Sequence, residues 1–230
     1  SETGATPVVQ SKWFATVVVE SPDSTVAEQL QQLAIVDSVK WIWKGNLRVP
    51  AEEKWEDRFV SEDEPLHNEY GYSYKQIKML NGTKLHEAGF RGEGMRVAVI
   101  DAGFMNADRV SAFDSLRLLG THNVVFPGKS VFVGDDHGTK VLSCLAADIP
   151  GVMVGTAPKA SYLLLKSEDS DSEYPVEEDY WTAAVEYADS AGVDVISSSL
   201  GYFAFDTDEL SYDQDALDGR TAMISRAANL

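Results

Sequence analysis

A single cysteine, Cys144, stands in the 230 residues, so no intrachain disulfide can form and the redox compartment stays open. Long hydrophobic runs are missing too. Apolar stretches such as residues 97–100 and 162–165 have the length of buried strands, far short of the ~20 residues a membrane span needs. Cations are scarce: 19 Lys and Arg stand against 37 Asp and Glu, a formal charge of -18. A field of that sign repels phosphate backbones and anionic lipid, which argues against nucleic-acid and membrane-surface partners. Glycine, at 17, and proline, at 8, are too few for a fibrous or low-complexity chain. The opening Ser1-Glu2-Thr3-Gly4 has neither the basic nor the apolar region of a signal peptide. What is present is ordinary. With 44% hydrophobic and 24% charged residues, the chain can bury a core in one domain or two.

Residues 13–19 are rich in β-branched side chains and predict a strand, closed by Ser21-Pro22. Thr25-Val26-Ala27-Glu28 has capping-box spacing, and Val26, Leu30 and Leu33 then share one face of a short helix. Residues 36–43 predict a second strand before Gly45-Asn46. Such a small α/β unit over residues 1–60 has a thin core and is expected to lean on another surface. The composition then turns acidic, with Glu52, Glu53, Glu56, Asp57, Glu62, Asp63 and Glu64 before Pro65. The domain boundary is expected in this stretch, with residues 61–72 as an exposed linker. No spacing in it converges carboxylates on a metal.

From Tyr74 onward strands alternate with helices, the pattern of an α/β fold built on a parallel sheet with flanking helices. The predicted strands are 97–100, 162–165 and 193–196, the first of them apolar throughout as a strand covered on both faces should be. Helices are predicted over 137–147, through Trp181, Ala184, Val185 and Ala188, and over 221–230, where the last is expected to run to the chain's end. Glu177, Glu178 and Asp179 open the second of these, where a helix N-terminus favours acids.

Open α/β sheets bind ligands beyond the carboxyl ends of their strands. Three such ends carry polar residues: Asp101-Ala102-Gly103, Lys166-Ser167 and Ser197-Ser198-Ser199-Leu200-Gly201. Taken alone, Asp101 reads equally as a turn or helix-cap residue. His67, His86 and His122 read as structural histidines. His137 differs, because Gly138 and Thr139 follow it at the opening of an amphipathic helix.

Four segments in order resemble signatures of the subtilisin-like serine proteases. They are Val97-Ala98-Val99-Ile100-Asp101-Ala102-Gly103, His137-Gly138-Thr139 with its histidine 36 residues beyond Asp101, Gly155-Thr156-Ala157-Pro158, and Val193-Asp194-Val195-Ile196-Ser197-Ser198-Ser199-Leu200-Gly201. Residues 77–82 and the Cys144 helix resemble the Bacteroidetes type of that family. The resemblance implies a subtilisin-like parallel sheet and a serine endopeptidase acting on polypeptides. It makes Asp101 and His137 two members of an Asp–His–Ser triad. Ser199, Leu200 and Gly201 become the backbone that pairs with substrate and lines the pocket for the residue before the scissile bond. Ser172, within 171–173, falls where the opposite pairing strand runs in the family, although this acidic stretch reads equally as a solvated loop.

The family carries its serine in a G-T-S motif and its oxyanion Asn in an A-G-N motif, and neither occurs in residues 1–230. The chain is therefore expected to be a fragment, incomplete in its catalytic portion, inactive alone and dependent on a downstream portion carrying the serine. Ser143, Ser197, Ser198, Ser199 and Asn229 do not take those places. Residues 1–60 resemble part of a subtilase propeptide, which implies a maturation site between residues 62 and 70. Export to the exterior or the cell envelope is implied as well. No cofactor is called for, and structural calcium is left open. Asp206, Asp208, Glu209, Asp213 and Asp215 lack EF-hand spacing and read as a solvated loop. A non-catalytic peptide-binding or folding module is the alternative function. Nucleotide binding is disfavoured, because Gly92-Glu93-Gly94 precedes its strand whereas a dinucleotide fingerprint follows one.

Overall fold

The computed structural model describes residues 4–43 and 68–230. A hairpin of β1 (Thr6–Ser11) and β2 (Thr16–Glu20) opens the chain, followed by the short helix α1 (Val26–Gln31). After the gap come α2 (Tyr74–Met79), α3 (Gly82–Glu87), β3 (Arg96–Asp101) and β4 (Arg117–Asn123). Helix α4 (His137–Ala146) leads through the small pair β5 (Asp148–Ile149) and β6 (Met153–Val154) to β7 (Ser161–Lys166). Helix α5 (Val176–Ser190), β8 (Val195–Ser198) and α6 (Met223–Ala227) complete it.

The principal sheet has the order β4-β7-β3-β8 with every pairing parallel, so the fold is α/β with flanking helices. Alternation along β3 and β7 divides the core into two layers. Ala98, Ile100, Leu163 and Leu165 pack with Trp181, Ala184, Val185 and Ala188 of α5. Val97, Val99, Tyr162 and Leu164 pack on the opposite side with Leu142 and Ala146 of α4. Fully burying one such aliphatic side chain contributes about 1.5–3 kcal/mol, so these two strands anchor the domain.

The N-terminal unit departs from the sequence reading. Residues 13–15 form the turn of a hairpin rather than the start of a strand, with Ala15 in the left-handed region at φ 53. Thr25 makes no side-chain capping bond; Asp23 Oδ1 instead accepts the Thr25 N–H at 2.9 Å. Helix α1 ends at Gln31 and leaves Leu33 exposed. No strand forms over residues 36–43. The Gln31 side chain accepts the Val39 N–H and donates to the Asp37 carbonyl, capturing groups that a ladder would need.

As expected for a thin unit, the hairpin leans on α5. Val8, Val9, Phe14 and Val18 pack against the α5 side of the core. Glu186 of α5 accepts from Ser11 Oγ, from Lys12 N–H at 2.9 Å and from Trp13 N–H at 3.2 Å.

Of the acidic connector, residues 51–67 lie outside the described residues, and with them His67 and most of the expected maturation site. Residues 68–72 are fastened to the folded region rather than exposed as a linker. Gly151 N–H donates to the Glu69 carbonyl at 2.7 Å, Tyr72 N–H to that of Val152 at 2.8 Å, and Arg91 forks onto the Glu69 carboxylate at 2.6 and 3.0 Å. Strand β8 starts two residues later than expected, because Val193 N–H closes the end of α5 on Ala188. The last helix is shorter than expected. Asp218 accepts the Thr221 N–H before it, and Asn229 lies beyond it with Nδ2 donating to the Gly219 carbonyl.

Candidate active site

Asp101 closes β3 with no exposed surface, held by the apolar run before it. Each residue of His137-Gly138-Thr139 has a separate task in bringing the histidine to it. The His137 N–H donates to Asp135 Oδ1 at 2.7 Å, which fixes the start of α4. A Cβ on Gly138 would sit 2.4 Å from the Gly103 carbonyl oxygen and 2.9 Å from Asp101 Cβ, so only glycine permits this approach of helix to strand end. Thr139 Oγ1 donates to the Met105 carbonyl at 2.9 Å.

The result is a direct bond, His137 Nδ1 to Asp101 Oδ1, at 2.7 Å. Asp101 Oδ1 also accepts the Ala102 N–H at 2.8 Å, while its Oδ2 is buried without a partner. The contact with Asp101 holds His137 above the ordinary histidine range, with Asp135 and Glu168 adding to the effect. Burial pushes the Asp101 carboxyl up, against the pull of His137 and the Ala102 N–H. These shifts favour opposite charge states of the pair. The Ala102 N–H on Oδ1 favours an ionised Asp101, which accepts a hydrogen bond from Nδ1–H, so that in the neutral imidazole Nε2 carries the lone pair. Half of the His137 side chain faces solvent.

The β3–β8 pairing ends at Ile100 and Ser198, so Ser199 follows at the level of Asp101. Ser199 and Gly201 are exposed and Leu200 is half-buried against the α5 side of the core. Ser172 lies in a turn, its N–H on the Asp169 carbonyl at 3.1 Å. The neighbouring Glu173 N–H is taken by Asp206 at 3.1 Å, so this segment is a tied loop rather than a strand. Two other serines are engaged elsewhere. Ser198 Oγ accepts from Trp181 Nε1 and Ser143 Oγ donates to the Lys140 carbonyl. The structural reading of His86 agrees with its burial between the Tyr70 hydroxyl at 3.1 Å and the Thr156 carbonyl at 2.9 Å. His122 stacks on Tyr187, 4.6 Å between centroids.

The sequence marked Lys166 as a polar strand end and Glu177 as a helix-opening acid, but not what surrounds them. Lys166 is buried at the end of β7, and its Nζ donates to the Ala102 carbonyl. Burial pushes Glu168 up to about 7 and Glu177 up to about 9. Nothing local marks Glu177, in the first turn of α5, as buried, yet it is 2% exposed. Among the described residues no group of three His, Cys, Asp or Glu could hold a metal ion, and no helix is long and apolar enough to cross a membrane. Of the acidic stretch after residue 205, Asp213 caps a short turn through the Ala216 N–H at 2.9 Å.

No family model matches the chain. It is 32% identical to subtilisin E of Bacillus subtilis (strain 168) over 147 residues, which cover 62% of this chain and 36% of that protein. It is 31% identical to the major intracellular serine protease of the same strain over 133 residues, covering 54% and 40% respectively. Among solved structures, the MycP3 protease from the type VII (ESX-3) secretion system aligns over 66% of this chain and 42% of that one, with 24% identity and a TM-score of 0.47. The matches thus span well under half the length of these relatives. Over the matched residues the chain is similar to subtilisins, and within that stretch Asp101 and His137 are joined at the sheet edge.

Proposed function

We propose that this chain is part of a serine endopeptidase, with Asp101 and His137 as the first two members of its Asp–His–Ser triad. One observation carries the reading: the 2.7 Å bond between His137 Nδ1 and the buried Asp101, at the carboxyl edge of a parallel sheet. With Nδ1 engaged, His137 presents Nε2 as a base. It takes the proton of a serine hydroxyl as that oxygen attacks the scissile carbonyl. It then gives the proton to the departing amine as the C–N bond breaks. Water repeats the sequence on the acyl-enzyme, releasing the second product and restoring the serine. Asp101 holds the imidazole tautomer and stabilises the imidazolium.

The serine and the oxyanion donors belong to polypeptide downstream of residue 230, the partner that completes the site. The substrate is a polypeptide, paired along Ser199, Leu200 and Gly201, with Ser172 on the facing loop. Residues 1–60 serve as the propeptide-like unit, supported by the docking of their hairpin on α5. The compartment, exterior or cell envelope, follows from family resemblance.

A fluorophosphonate probe, which needs an activated hydroxyl, tests the reading. Chain 1–230 alone should not label, since loss of the nucleophile costs about 10⁶ in turnover in subtilisin itself. Labelling that appears when the downstream polypeptide is added supports the proposal. Stoichiometric labelling of a serine within 1–230 overturns the assignment. Silence in both states favours a non-catalytic peptide-binding or folding module.

A further inference from the structure

The hydrogen bonding of Asp101 is lopsided. Both of its donors, His137 Nδ1 and the Ala102 N–H, fall on Oδ1, while Oδ2 is buried and bare. A carboxylate free to rotate would spread two donors over two oxygens, because an unsatisfied buried acceptor is costly. Something must hold the Ala102 peptide where it is.

Lys166 is the pairing partner of Asp101 across the β3–β7 ladder, so both side chains leave the sheet on the α4 face. It is 2% exposed, and its Nζ donates to the Ala102 carbonyl. The adjacent Ser167 N–H donates to the Asp101 carbonyl at 3.1 Å, so β7 grips two consecutive carbonyls of the turn. A position that served packing alone would take an aliphatic residue, since burying an ammonium is expensive. Asp135, Asp169, Glu168 and Glu177 face the Lys166 charge, and Asp135 and Glu168 also face His137.

We propose that Lys166 is a positioning residue of this site: it anchors the Ala102 carbonyl, so that the Ala102 N–H and His137 Nδ1 converge on one oxygen of Asp101. Its meaning for catalysis rests on the protease reading, but the anchoring itself does not.

The test is an NMR titration of chain 1–230 that reads the His137 pKa and the exchange of its Nδ1 proton with water, in the unmodified chain and in Lys166→Met and Lys166→Arg. Loss of the anchor in Lys166→Met should speed Nδ1–H exchange by roughly tenfold or more and lower the His137 pKa. Lys166→Arg, which keeps charge and donors, should retain most of both signals. Loss of charge alone would do the opposite to the titration, raising the His137 pKa because Asp135 and Glu168 would act unopposed. An upward shift with unchanged exchange therefore overturns positioning, as does no change in either readout. Should Lys166→Met not fold, Lys166→Gln takes its place with the same criteria. In the unmodified chain, a missing cross-peak between the Lys166 side chain and the Ala102-Gly103 backbone overturns the proposal whatever the variants do. No serine or substrate enters these measurements, so failure of the protease reading would leave their outcome standing.

Discussion

Strands β2 and β3 are both short and rich in valine, yet β3 is buried at five of its six residues and β2 at none. The contrast lies in what surrounds them. β3 has β7 on one edge and β8 on the other, with α4 and α5 packed over its two faces. β2 pairs with β1 alone and approaches the core only through the half-buried side of the hairpin. Even there the fit is loose: a cavity of about 650 Å³ lies between hairpin and domain, lined by Trp13, Val17, His122 and Tyr187 among others. Glu186 holds the hairpin with a few hydrogen bonds, whereas the sheet is held by its own core. Isolated two-stranded hairpins are marginal in water, so this one should be removable without loss of the sheet.

The most severe test of the sheet side is chemical. On the proposed protease reading, Asp101→Asn in the protein completed by its serine should lower turnover by roughly 10⁴ while leaving the fold intact, because the imidazole is left in the wrong tautomer. In the same variant the His137 pKa should fall, since the Asp101 contact is the chief cause of its elevation. Near-normal kcat with an unshifted histidine would remove Asp101 from the mechanism.

Gly138→Ala asks how tightly the site is built. Its new methyl meets the Gly103 carbonyl oxygen at 2.4 Å and Phe104 Cε1 at 2.8 Å, and overpacking of this kind costs about 3 kcal/mol. A clear drop in Tm, with weakened Nδ1–H protection at His137, is the expected outcome. An unchanged Tm would mean that α4 can move away from the strand end freely.

On the hairpin side, Glu186→Ala should cost about 2 kcal/mol, confined to the hairpin, because three donors lose a charged acceptor. Hydrogen exchange is the measurement. Amides of Lys12 and Trp13 should lose protection while those of β3 and β7 keep theirs. Uniform loss across both regions would erase the distinction between them.

The last test concerns the buried Glu177 in the first turn of α5. Burial pushes Glu177 up to about 9, so the folded chain holds a proton that the unfolded chain releases. That preference stabilises the fold at low pH and is lost as pH rises from the ordinary glutamate value through about 9. Glu177→Gln has no proton to lose. It should match the parent near pH 4 and exceed it by a margin that widens steadily towards pH 8. Denaturant midpoints at the two pH values decide, and a constant difference would contradict the assignment.

Along the chain, legibility follows the same divide as burial. Residues 97–100 and 162–165 declare themselves as strands because each carries its own unbroken apolar run. Helix α4 was readable from its amphipathic pattern, and the pairing of Asp101 with His137 was implied by the family resemblance of two short motifs; the structure adds what their residues do, a glycine for close approach and a threonine for the pin. The hairpin and residues 36–43 were misread because their burial and hydrogen bonding come from α5 and from Gln31, at distances no local pattern records. Strand β4, with three exposed residues at its start, has no such run either.

By itself, then, the sequence determined the parallel α/β core and the order of its motifs, whose family resemblance implied the pair of residues that meet at the sheet edge. These depend on local apolar runs and on spacings that survive in one dimension. Only the tertiary structure decided that Lys166 reaches the Ala102 carbonyl, that Glu177 is buried in the first turn of α5, and that Glu186 receives the hairpin. Each of those joins groups from separate segments, and a buried polar side chain reveals its role only when packing has chosen its partners.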